Sequence, residues 1–263
     1  MPAILLDIDG VLHVSGEAIP GAAEALRRLR ANGSVLRFLT NNTTRARSQL
    51  VAELCRLGFE LEEDEVETTP LAAGRLLAGK RVLALTMRSI QPDLERFVEL
   101  VREGADVVLT GGADETDETD EVFSWRNLNR AYAELQGGAR LVSLHRNRWW
   151  QTARGPLLDA GVYVAGLEYA AGVEAEIVGK PSRAYFEAAL ASAGVRAEDA
   201  TMVGDDVEAD VGGAKAVGMR AVLVRTGKFR DASLAAEGPR ADAVLDSIAK
   251  LPGWLRAGVE TRA

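Results

Sequence analysis

The residues of this sequence best placed for chemistry are two aspartates at the end of its first apolar segment. Residues 4–10 read ILLDIDG, which predicts a buried strand that ends in two carboxylates and a glycine. Side chains alternate along a strand, so Asp7 and Asp9 start on the same face. A buried strand has no reason to carry two acids unless they reach a cleft at its end, where open α/β sheets bind ligands. In isolation, however, such a segment is better interpreted as a strand followed by a solvated acidic turn.

Three later predicted strands also end in polar residues. In chain order these residues are Thr40 and Asn41, then Lys180, and then Asp205, Asp206 and Asp210. Crowded carboxylates repel one another unless a cation relieves the repulsion, and hard oxygen ligands in this number suit Mg²⁺. Zinc is disfavoured because the chain has only two histidines and one cysteine.

Some of these features have plainer interpretations. A junction between a strand end and a helix start is an anion site, since unpaired N–H groups and the helix dipole face it. Alone, however, Thr40 would be a plain N-cap. His13 and His145 are isolated in the sequence and are interpreted as structural or peripheral. The acidic run 114–121 is interpreted as a solvated, mobile loop. A calcium site is disfavoured there, because the run lacks the glycine and the glutamate spacing of an EF-hand loop.

The elements that must position these residues alternate along the chain. Apolar periodicity predicts strands at 35–39, 80–86 and 106–110, and helices at 92–101 and 122–135, among others. Alternating strands and helices with short loops predict an α/β fold with a doubly wound parallel sheet.

The composition is typical of an ordinary soluble protein. The chain of 263 residues can form one large domain or two modest ones. Its formal net charge of −8 argues against a nucleic-acid surface and against anionic membranes. The single Cys55 excludes an intramolecular disulfide, and no apolar run has the length of a membrane span. We therefore expect a cytoplasmic protein without nucleic-acid or membrane partners.

In their order and spacing, the four motifs resemble those of the haloacid dehalogenase (HAD) superfamily of aspartate-nucleophile phosphatases. The matching segments are 7–12 (DIDGVL), 40–42 (TNN), 179–181 (GKP) and 204–210 (GDDVEAD). The resemblance implies a Rossmann-like HAD core and an inserted, smaller α/β cap domain like that of the NagD-like subclass. The implied domains are 1–78 and 176–263 for the core and 79–175 for the cap.

Two segments of the insertion resemble one branch of this subclass. Residues 144–150 (LHRNRWW) and 166–170 (GLEYA) are similar to the branch of haloacid dehalogenase-like hydrolase domain-containing proteins and phospholysine phosphohistidine inorganic pyrophosphate phosphatases. Some members of that branch carry serine where this chain has Asp9, so Asp9 places the chain nearer to ordinary phosphatases. Dehalogenases of the superfamily also lack an acid there, so Asp9 favours phosphoryl chemistry.

The resemblance implies catalytic and metal-binding roles for the acids. Asp7 would attack phosphorus and form an aspartyl-phosphate. Asp9 would protonate the leaving oxygen and then deprotonate the water that hydrolyses the intermediate. Mg²⁺ would be held by the Asp7 carboxylate, the Asp9 backbone carbonyl and Asp205.

The resemblance also implies a phosphate-binding set. Thr40 and the Asn41 amide would hold phosphate oxygens, and Lys180 would neutralise charge beside the nucleophile. Asp206 or Asp210 would orient the lysine or a metal-bound water.

In the predicted cap, Arg146, Arg148, Trp149 and Trp150 are candidates for substrate contact, the arginines for a second anionic group. We favour, however, a surface hairpin whose two tryptophans pack on the cap sheet. A large cap that closes the site favours a small substrate, and the cap sheet is also a candidate homodimer face.

Together these observations predict a Mg²⁺-dependent phosphatase for a small substrate: a phosphate monoester, pyrophosphate or a phosphoramidate. A phosphotransferase or phosphomutase would use the same motifs. A receiver-like signalling domain also gathers acids, threonine and lysine at strand ends, but it is far shorter and has no cap. A non-catalytic binding module is disfavoured because all the expected site residues are present.

Overall fold

Strands and helices alternate along the chain in the computed structural model, which describes residues 3–112, 114–152, 155–230 and 238–260. The strands are β1 Ala3–Asp7, β2 His13–Val14, β3 Glu17–Ala18, β4 Val35–Thr40, β5 Val66–Thr68, β6 Arg81–Thr86, β7 Glu99–Leu100, β8 Val107–Gly111, β9 Arg140–Ser143, β10 Trp149–Thr152, β11 Gly155–Leu158, β12 Glu176–Ile177, β13 Ala200–Gly204, β14 Arg220–Val224 and β15 Ala243–Leu245. The α-helices are α1 Ala22–Ala31, α2 Arg47–Arg56, α3 Thr69–Leu76, α4 Gln91–Glu95, α5 Asp117–Val122, α6 Trp125–Gln136, α7 Gly161–Ala171, α8 Arg183–Ala193, α9 Gly213–Ala216 and α10 Leu251–Glu260. Shorter helical turns are Glu63–Glu65, Arg88–Ile90, Ala197–Asp199 and Ile248–Lys250, and Val207–Gly212 forms a π-helix. Within these described ranges, no helix has the length and apolar character that a membrane span requires.

The strand β1 lies inside a six-stranded sheet with the order β15-β14-β13-β1-β4-β5. All five of its residues are buried, as expected for a parallel strand that is covered on both faces. Both neighbours run parallel to β1, in a register that pairs Leu6 with Phe38 of β4 and with Val203 of β13. The carboxyl ends of the three strands therefore meet at one edge, where Asp7 and Thr40 are the last strand residues. This arrangement confirms the predicted α/β class.

A second parallel sheet has five strands in the order β12-β9-β8-β6-β7. Successive residues of its central strands enter two different hydrophobic clusters: Val108 and Leu141 lie in one, and Leu109 and Val142 lie in the other. Because side chains alternate along a strand, the two clusters cover opposite faces of the sheet. This explains why its strands are almost continuous apolar runs in the sequence.

The chain divides into two compact units. The first unit comprises Met1–Thr40, Val51–Glu67 and Lys180–Ala263, and the second comprises Asn41–Leu50 and Thr68–Gly179. The chain therefore passes from one unit to the other at four peptide bonds, 40/41, 50/51, 67/68 and 179/180. The domain boundaries expected from the sequence, at 78/79 and 175/176, stay a prediction.

The predicted helix over 92–101 is wrong beyond its first turn. The helix α4 ends at Glu95, and the chain then forms the edge strand β7. The Val101 N–H donates to the Val82 carbonyl of β6 at 2.9 Å. Pairing with the sheet edge thus overrides the helical periodicity of this segment.

The prediction of a mobile loop over the acidic run 114–121 is wrong for most of its length, because the chain forms the helix α5 over Asp117–Val122. The Asp114 carboxylate accepts from the Thr116 N–H at 2.9 Å and so organises the turn that precedes the helix. Val122 packs against the hydrophobic cluster that contains Phe123. Acids in the first helical turn also complement the helix dipole, so the charge run is compatible with a helix once its apolar end is buried.

Candidate active site

Asp7 is the last residue of β1, and its side chain is enclosed. Only 7% of the residue is exposed. Its Oδ1 accepts from the Ile8 N–H at 2.8 Å and lies 2.7 Å from Lys180 Nζ. Burial raises the pKa of Asp7 well above its usual range, against the opposing effect of the Lys180 ammonium. Ionisation of this carboxyl group therefore depends on positive charge beside it.

Lys180 stands between two buried carboxylates. It is 3% exposed and lies just ahead of α8 in the chain. Its Nζ is 2.7 Å from Asp7 Oδ1 and 2.7 Å from Asp210 Oδ1. Burial disfavours the ammonium, but the carboxylates of Asp210 and Asp7 outweigh burial and raise the pKa of Lys180. The site therefore contains a fixed positive charge at neutral pH.

Asp210 uses both of its carboxylate oxygens within the protein. It is fully buried in the π-helix, an irregularity that is frequent at functional sites. Its Oδ1 faces Lys180, and its Oδ2 accepts from the N–H groups of Asp205 and Asp206 at 3.2 and 3.1 Å. Asp210 thereby fixes the lysine and the turn that carries the neighbouring acids.

Asp205 follows β13 and completes a group of three carboxylates. One oxygen each of Asp7, Asp205 and Asp210 lies within 4.8 Å of the other two. Burial, with a further contribution from the Asp210 charge, raises the pKa of Asp205 to about 7. Crowded carboxylate oxygens of this kind are the donor set that Mg²⁺ prefers, so the residues present fit that ion.

Two glycines make room for the Asp205 side chain. A Cβ at Gly10 would lie 2.0 Å from Asp205 Oδ2, and a Cβ at Gly227 would lie 1.9 Å from the same atom. Both glycines also have positive φ angles, +82° and +62°, which other residues adopt with strain. The glycine of the first motif is thus required by the close approach of a carboxylate.

Asp9 occupies a different environment from Asp7. Its side chain is 53% exposed, whereas that of Asp7 is 9% exposed. Thr40 Oγ1 donates to Asp9 Oδ2 at 3.3 Å, and His13 Nε2 lies 3.6 Å from Asp9 Oδ1. One acid is therefore enclosed beside a cation, and the other is accessible for proton exchange.

Asp206 acts as a helix cap. Its Oδ1 accepts from the N–H groups of Glu208 and Ala209 at 3.0 and 2.9 Å, which satisfies the first turn of the π-helix. Its Oδ2 lies 3.7 Å from Lys228 Nζ. The orienting role expected from the sequence for Asp206 or Asp210 stays a prediction. Asp210 contacts Lys180 directly, since it accepts a hydrogen bond from the Lys180 ammonium at 2.7 Å.

Three residues near these acids were missed or undervalued by the sequence analysis. His13, interpreted from the sequence as structural or peripheral, lies with its Nε2 3.6 Å from Asp9 Oδ1. The Lys228 N–H donates to Asp205 Oδ2 at 2.5 Å, and this lysine follows the end of β14 as Lys180 follows a strand end. The Tyr185 hydroxyl bonds to the Thr40 carbonyl, and nothing in the sequence pattern indicates that contact.

The remaining predicted residues lie in the second unit. Arg146 pairs with Glu168 at 2.5 Å. Trp149 begins β10, which forms the expected hairpin with β11, and this residue is 37% exposed. Packing of the two tryptophans on the cap sheet stays a prediction. Contact of Arg146, Arg148 or Trp149 with a substrate stays a prediction, as does phosphate binding by the Asn41 amide.

Two family models match the chain. The model described as Haloacid dehalogenase-like hydrolase matches residues 4–100, and the model described as HAD-hyrolase-like matches residues 177–251. Together they include all the motif residues named above.

Curated relatives match over most of the chain. Human phospholysine phosphohistidine inorganic pyrophosphate phosphatase is 38% identical over 255 residues, which cover 94% of this chain and 91% of that protein. Bovine haloacid dehalogenase-like hydrolase domain-containing protein 2 is 38% identical over 232 residues, which cover 88% of this chain and 87% of that protein. Both fall in the branch that residues 144–150 and 166–170 resemble.

Solved structures share the whole fold. A p-nitrophenyl phosphatase from Archaeoglobus fulgidus has a TM-score of 0.88 at 26% identity, covering 96% of this chain and 98% of that chain. A glycerol phosphate phosphatase from Mycobacterium tuberculosis in complex with magnesium has a TM-score of 0.84 at 29% identity, covering 95% and 76%. NagD from E. coli K-12 has a TM-score of 0.84 at 24% identity, covering 95% and 98%, which bears on the fold alone. The chain therefore belongs to the haloacid dehalogenase-like hydrolases and is a phosphatase with a NagD-like fold.

Proposed function

We propose that this phosphatase is Mg²⁺-dependent and hydrolyses a small phosphorylated substrate through an aspartyl-phosphate on Asp7. The observation that carries the proposal is the position of Asp7 Oδ1, buried at a strand end 2.7 Å from the Lys180 ammonium and within a group of three carboxylates. A carboxylate in this position can act as a nucleophile, because the Lys180 ammonium partly neutralises its negative charge. The same ammonium can also stabilise the negative charge of a bound phosphate.

The reaction has two half-reactions. In the first, an Asp7 oxygen forms a bond to phosphorus while the bond from phosphorus to the leaving oxygen breaks, and Asp9 gives its proton to that oxygen. In the second, Asp9 takes a proton from water, whose oxygen attacks phosphorus and displaces the Asp7 carboxylate. The products are the dephosphorylated substrate and inorganic phosphate, and Asp9 ends protonated, ready for the next cycle.

Asp7, the Asp9 backbone carbonyl and Asp205 would hold Mg²⁺. When bound, the ion supplies positive charge that reduces repulsion between the nucleophile and the phosphate. Asp210 is better suited to orienting Lys180 than to direct ligation, because both of its oxygens already accept hydrogen bonds.

Phosphate oxygens would be held by Thr40, the Asn41 amide and Lys180. The Thr40 hydroxyl bonds to Asp9 at 3.3 Å, so the acid and one phosphate ligand are already neighbours. Lys180 would approach the transferring group from beside Asp7 and stabilise its charge in the transition state.

The second unit would serve as the cap that selects the leaving group. The name of the human relative includes phospholysine, phosphohistidine and inorganic pyrophosphate, so phosphoramidates and pyrophosphate are proposed as substrate classes beside phosphate monoesters. A homodimer through the cap and a cytoplasmic location remain part of this proposal.

A phosphate-release screen tests the proposal. The protein is first treated with EDTA to remove bound metal. It is then incubated, with and without added Mg²⁺, with sugar phosphates, nucleotides, pyrophosphate and phosphoramidates. We expect release only with Mg²⁺, and none above background for Asp7→Asn. The control is Asp106→Asn, at a side chain that is 44% exposed and pairs with Arg81, and it is expected to keep the wild-type rate. Near wild-type turnover by Asp7→Asn would contradict the proposed mechanism. A product phosphorylated at a second position would instead indicate a phosphotransferase or phosphomutase.

The acid role of Asp9 is tested by leaving groups of different basicity. Asp9→Asn is expected to slow hydrolysis of an alkyl phosphate by about 10²–10⁴-fold. The loss with p-nitrophenyl phosphate is expected to be much smaller, because that leaving group departs without protonation. Equal losses on the two substrates would contradict the assignment.

A further inference from the structure

The buried hydroxyl of Tyr185 bonds to two backbone carbonyls, those of the residues at which the chain leaves the first unit. Tyr185 of α8 is 1% exposed. Its hydroxyl lies 3.0 Å from the Thr40 carbonyl and 2.7 Å from the Glu67 carbonyl. Thr40 and Glu67 are the last residues of two segments of the first unit. A phenol has a single proton to donate, so the two carbonyls share one donor.

The proton of this donor is retained at neutral pH. Burial is the main cause that raises the pKa of Tyr185. The hydroxyl group is therefore a permanent donor, and both of its acceptors are backbone carbonyls rather than groups that change charge.

The Thr40 carbonyl belongs to the same peptide group as the Asn41 N–H. This peptide is trans, so the carbonyl and the N–H point in opposite directions from one rigid plane. A donor that fixes the carbonyl consequently fixes the direction of the N–H. It also polarises the peptide group, which makes the N–H a stronger donor.

We propose that Tyr185 is a positioning residue for phosphate binding, whose hydroxyl aims the Asn41 N–H and the Thr40 side chain at the phosphate. The inference rests on the proposed function, in which those two groups hold phosphate oxygens. The helix α8 follows directly on the segment that carries Lys180, so one element fixes both the cationic and the hydrogen-bonding part of the phosphate site. Neither hydrogen bond of Tyr185 involves Asp7 or Asp205, so the metal-binding carboxylates do not depend on it directly.

The test is Tyr185→Phe, which removes one oxygen and keeps the ring. Calorimetric titration of the full chain is expected to give a Mg²⁺ affinity within about twofold of wild type. With Mg²⁺ present, inorganic phosphate is expected to bind about 3- to 10-fold more weakly, the usual effect of losing one neutral hydrogen bond. For p-nitrophenyl phosphate the KM is expected to rise by the same factor with kcat nearly unchanged, because the lost contact acts on ground and transition states alike.

Tyr163→Phe is the matched control. Tyr163 lies in α7 of the second unit, where its ring stacks on Phe123, and its loss of a hydroxyl should leave phosphate and Mg²⁺ binding unchanged. If Tyr185→Phe binds inorganic phosphate as wild type does, whether or not it melts earlier, Tyr185 has a structural role only and the inference is overturned. If the wild type itself neither binds phosphate with Mg²⁺ nor releases it from any ester, the proposed function fails and the inference fails with it.

A second variant tests the proposal if Tyr185→Phe does not fold. Incorporation of 3-fluorotyrosine at position 185 keeps the hydroxyl and makes it a stronger donor. Phosphate is then expected to bind at least as tightly as to wild type, and weaker binding would contradict the positioning role.

Discussion

The two parallel sheets of this protein have the same architecture but different chemistry at their carboxyl ends. The six-stranded sheet ends in charge, with Asp7 at the end of β1 and Asp205 directly after β13. Two interior strands of the five-stranded sheet instead end in neutral groups: Thr86 closes β6, and Ser143 closes β9. Both sheets are parallel and buried, so these properties do not distinguish an edge that carries an active site from an edge that only stabilises the fold. The charge of the residues at the strand ends does.

The polar side chains around the end of β9 are paired within their own unit. The imidazole of His145, two residues beyond β9, is buried, and its Nε2 lies 3.1 Å from Thr43 Oγ1 and 3.6 Å from Asp159 Oδ1. Ser143 Oγ donates to the His145 carbonyl at 2.7 Å. This arrangement is typical of a buried histidine that stabilises the fold, the first of the two interpretations, structural or peripheral, that the sequence left open for His145.

The charges of the first sheet are not balanced in the same way. Asp7, Asp205 and Asp210 form one group of carboxylates, and the buried ammonium of Lys180 lies against two of them, Asp7 and Asp210. Burial raises the pKa of both Asp7 and Asp205, which is the signature of carboxylates that need a further cation. Buried charge that is not balanced by neighbouring groups therefore marks the functional edge of this protein.

The largest expected effect comes from removing that ammonium. Lys180→Met leaves Asp7 and Asp210 buried without their partner, which costs about 3–5 kcal/mol of stability. We also expect phosphate release to fall by about 10²–10³-fold, the usual loss for one group that stabilises transition-state charge. Thermal unfolding and a phosphate-release assay measure the two effects.

Lys215→Met is the matched control for this lysine. Lys215 lies 2.5 Å from Asp242, and both side chains are about one-third exposed. We expect a loss of less than about 1 kcal/mol and an unchanged rate. If the two lysine variants behaved alike, burial would not distinguish the two kinds of ion pair, and the comparison would fail.

The positions of these charged residues were predictable to a large degree. Asp7 and Asp205 follow apolar runs, and parallel strands bring such ends to one edge. The tertiary partners were not predictable, because contacts such as Tyr185 to Thr40 depend on how a helix packs on a strand distant in sequence. The helix expected over 92–101 was wrong for a related reason: strand pairing at a sheet edge is non-local and overrides local periodicity.

A smaller effect is expected from pH on Mg²⁺ binding. Since the pKa of Asp205 is about 7, protons compete with the ion below that pH, and the raised pKa of Asp7 adds to the competition. We expect the affinity to fall by about tenfold between pH 8 and pH 6. Calorimetry in buffers of different ionisation enthalpy measures both the affinity and the protons released.

The same carboxyl groups affect the stability of the metal-free protein. A carboxyl whose pKa is raised by folding stabilises the fold below its unfolded pKa, near 4, and this contribution is lost as pH rises through the folded value near 7. We therefore expect Mg²⁺ to raise the melting temperature more at pH 8 than at pH 6. An equal rise at both values, together with equal affinities, would show that Asp205 is not a ligand.

The smallest effect is expected at Arg146 of the second unit, a candidate for substrate contact from the sequence. Its guanidinium is 2.5 Å from Glu168, and its side chain is half exposed. Glu168 also accepts from the Ala175 N–H at 3.0 Å, so the pair ties the hairpin region to the start of β12. We expect Arg146→Met to lose less than about 1 kcal/mol of stability and to keep kcat/KM within about threefold. Arg148→Met measures the neighbouring candidate in the same assay. A tenfold rise in KM for either variant would mean that the second unit also uses charged side chains to bind the substrate. The two units would then differ only in how deeply those charged side chains are buried.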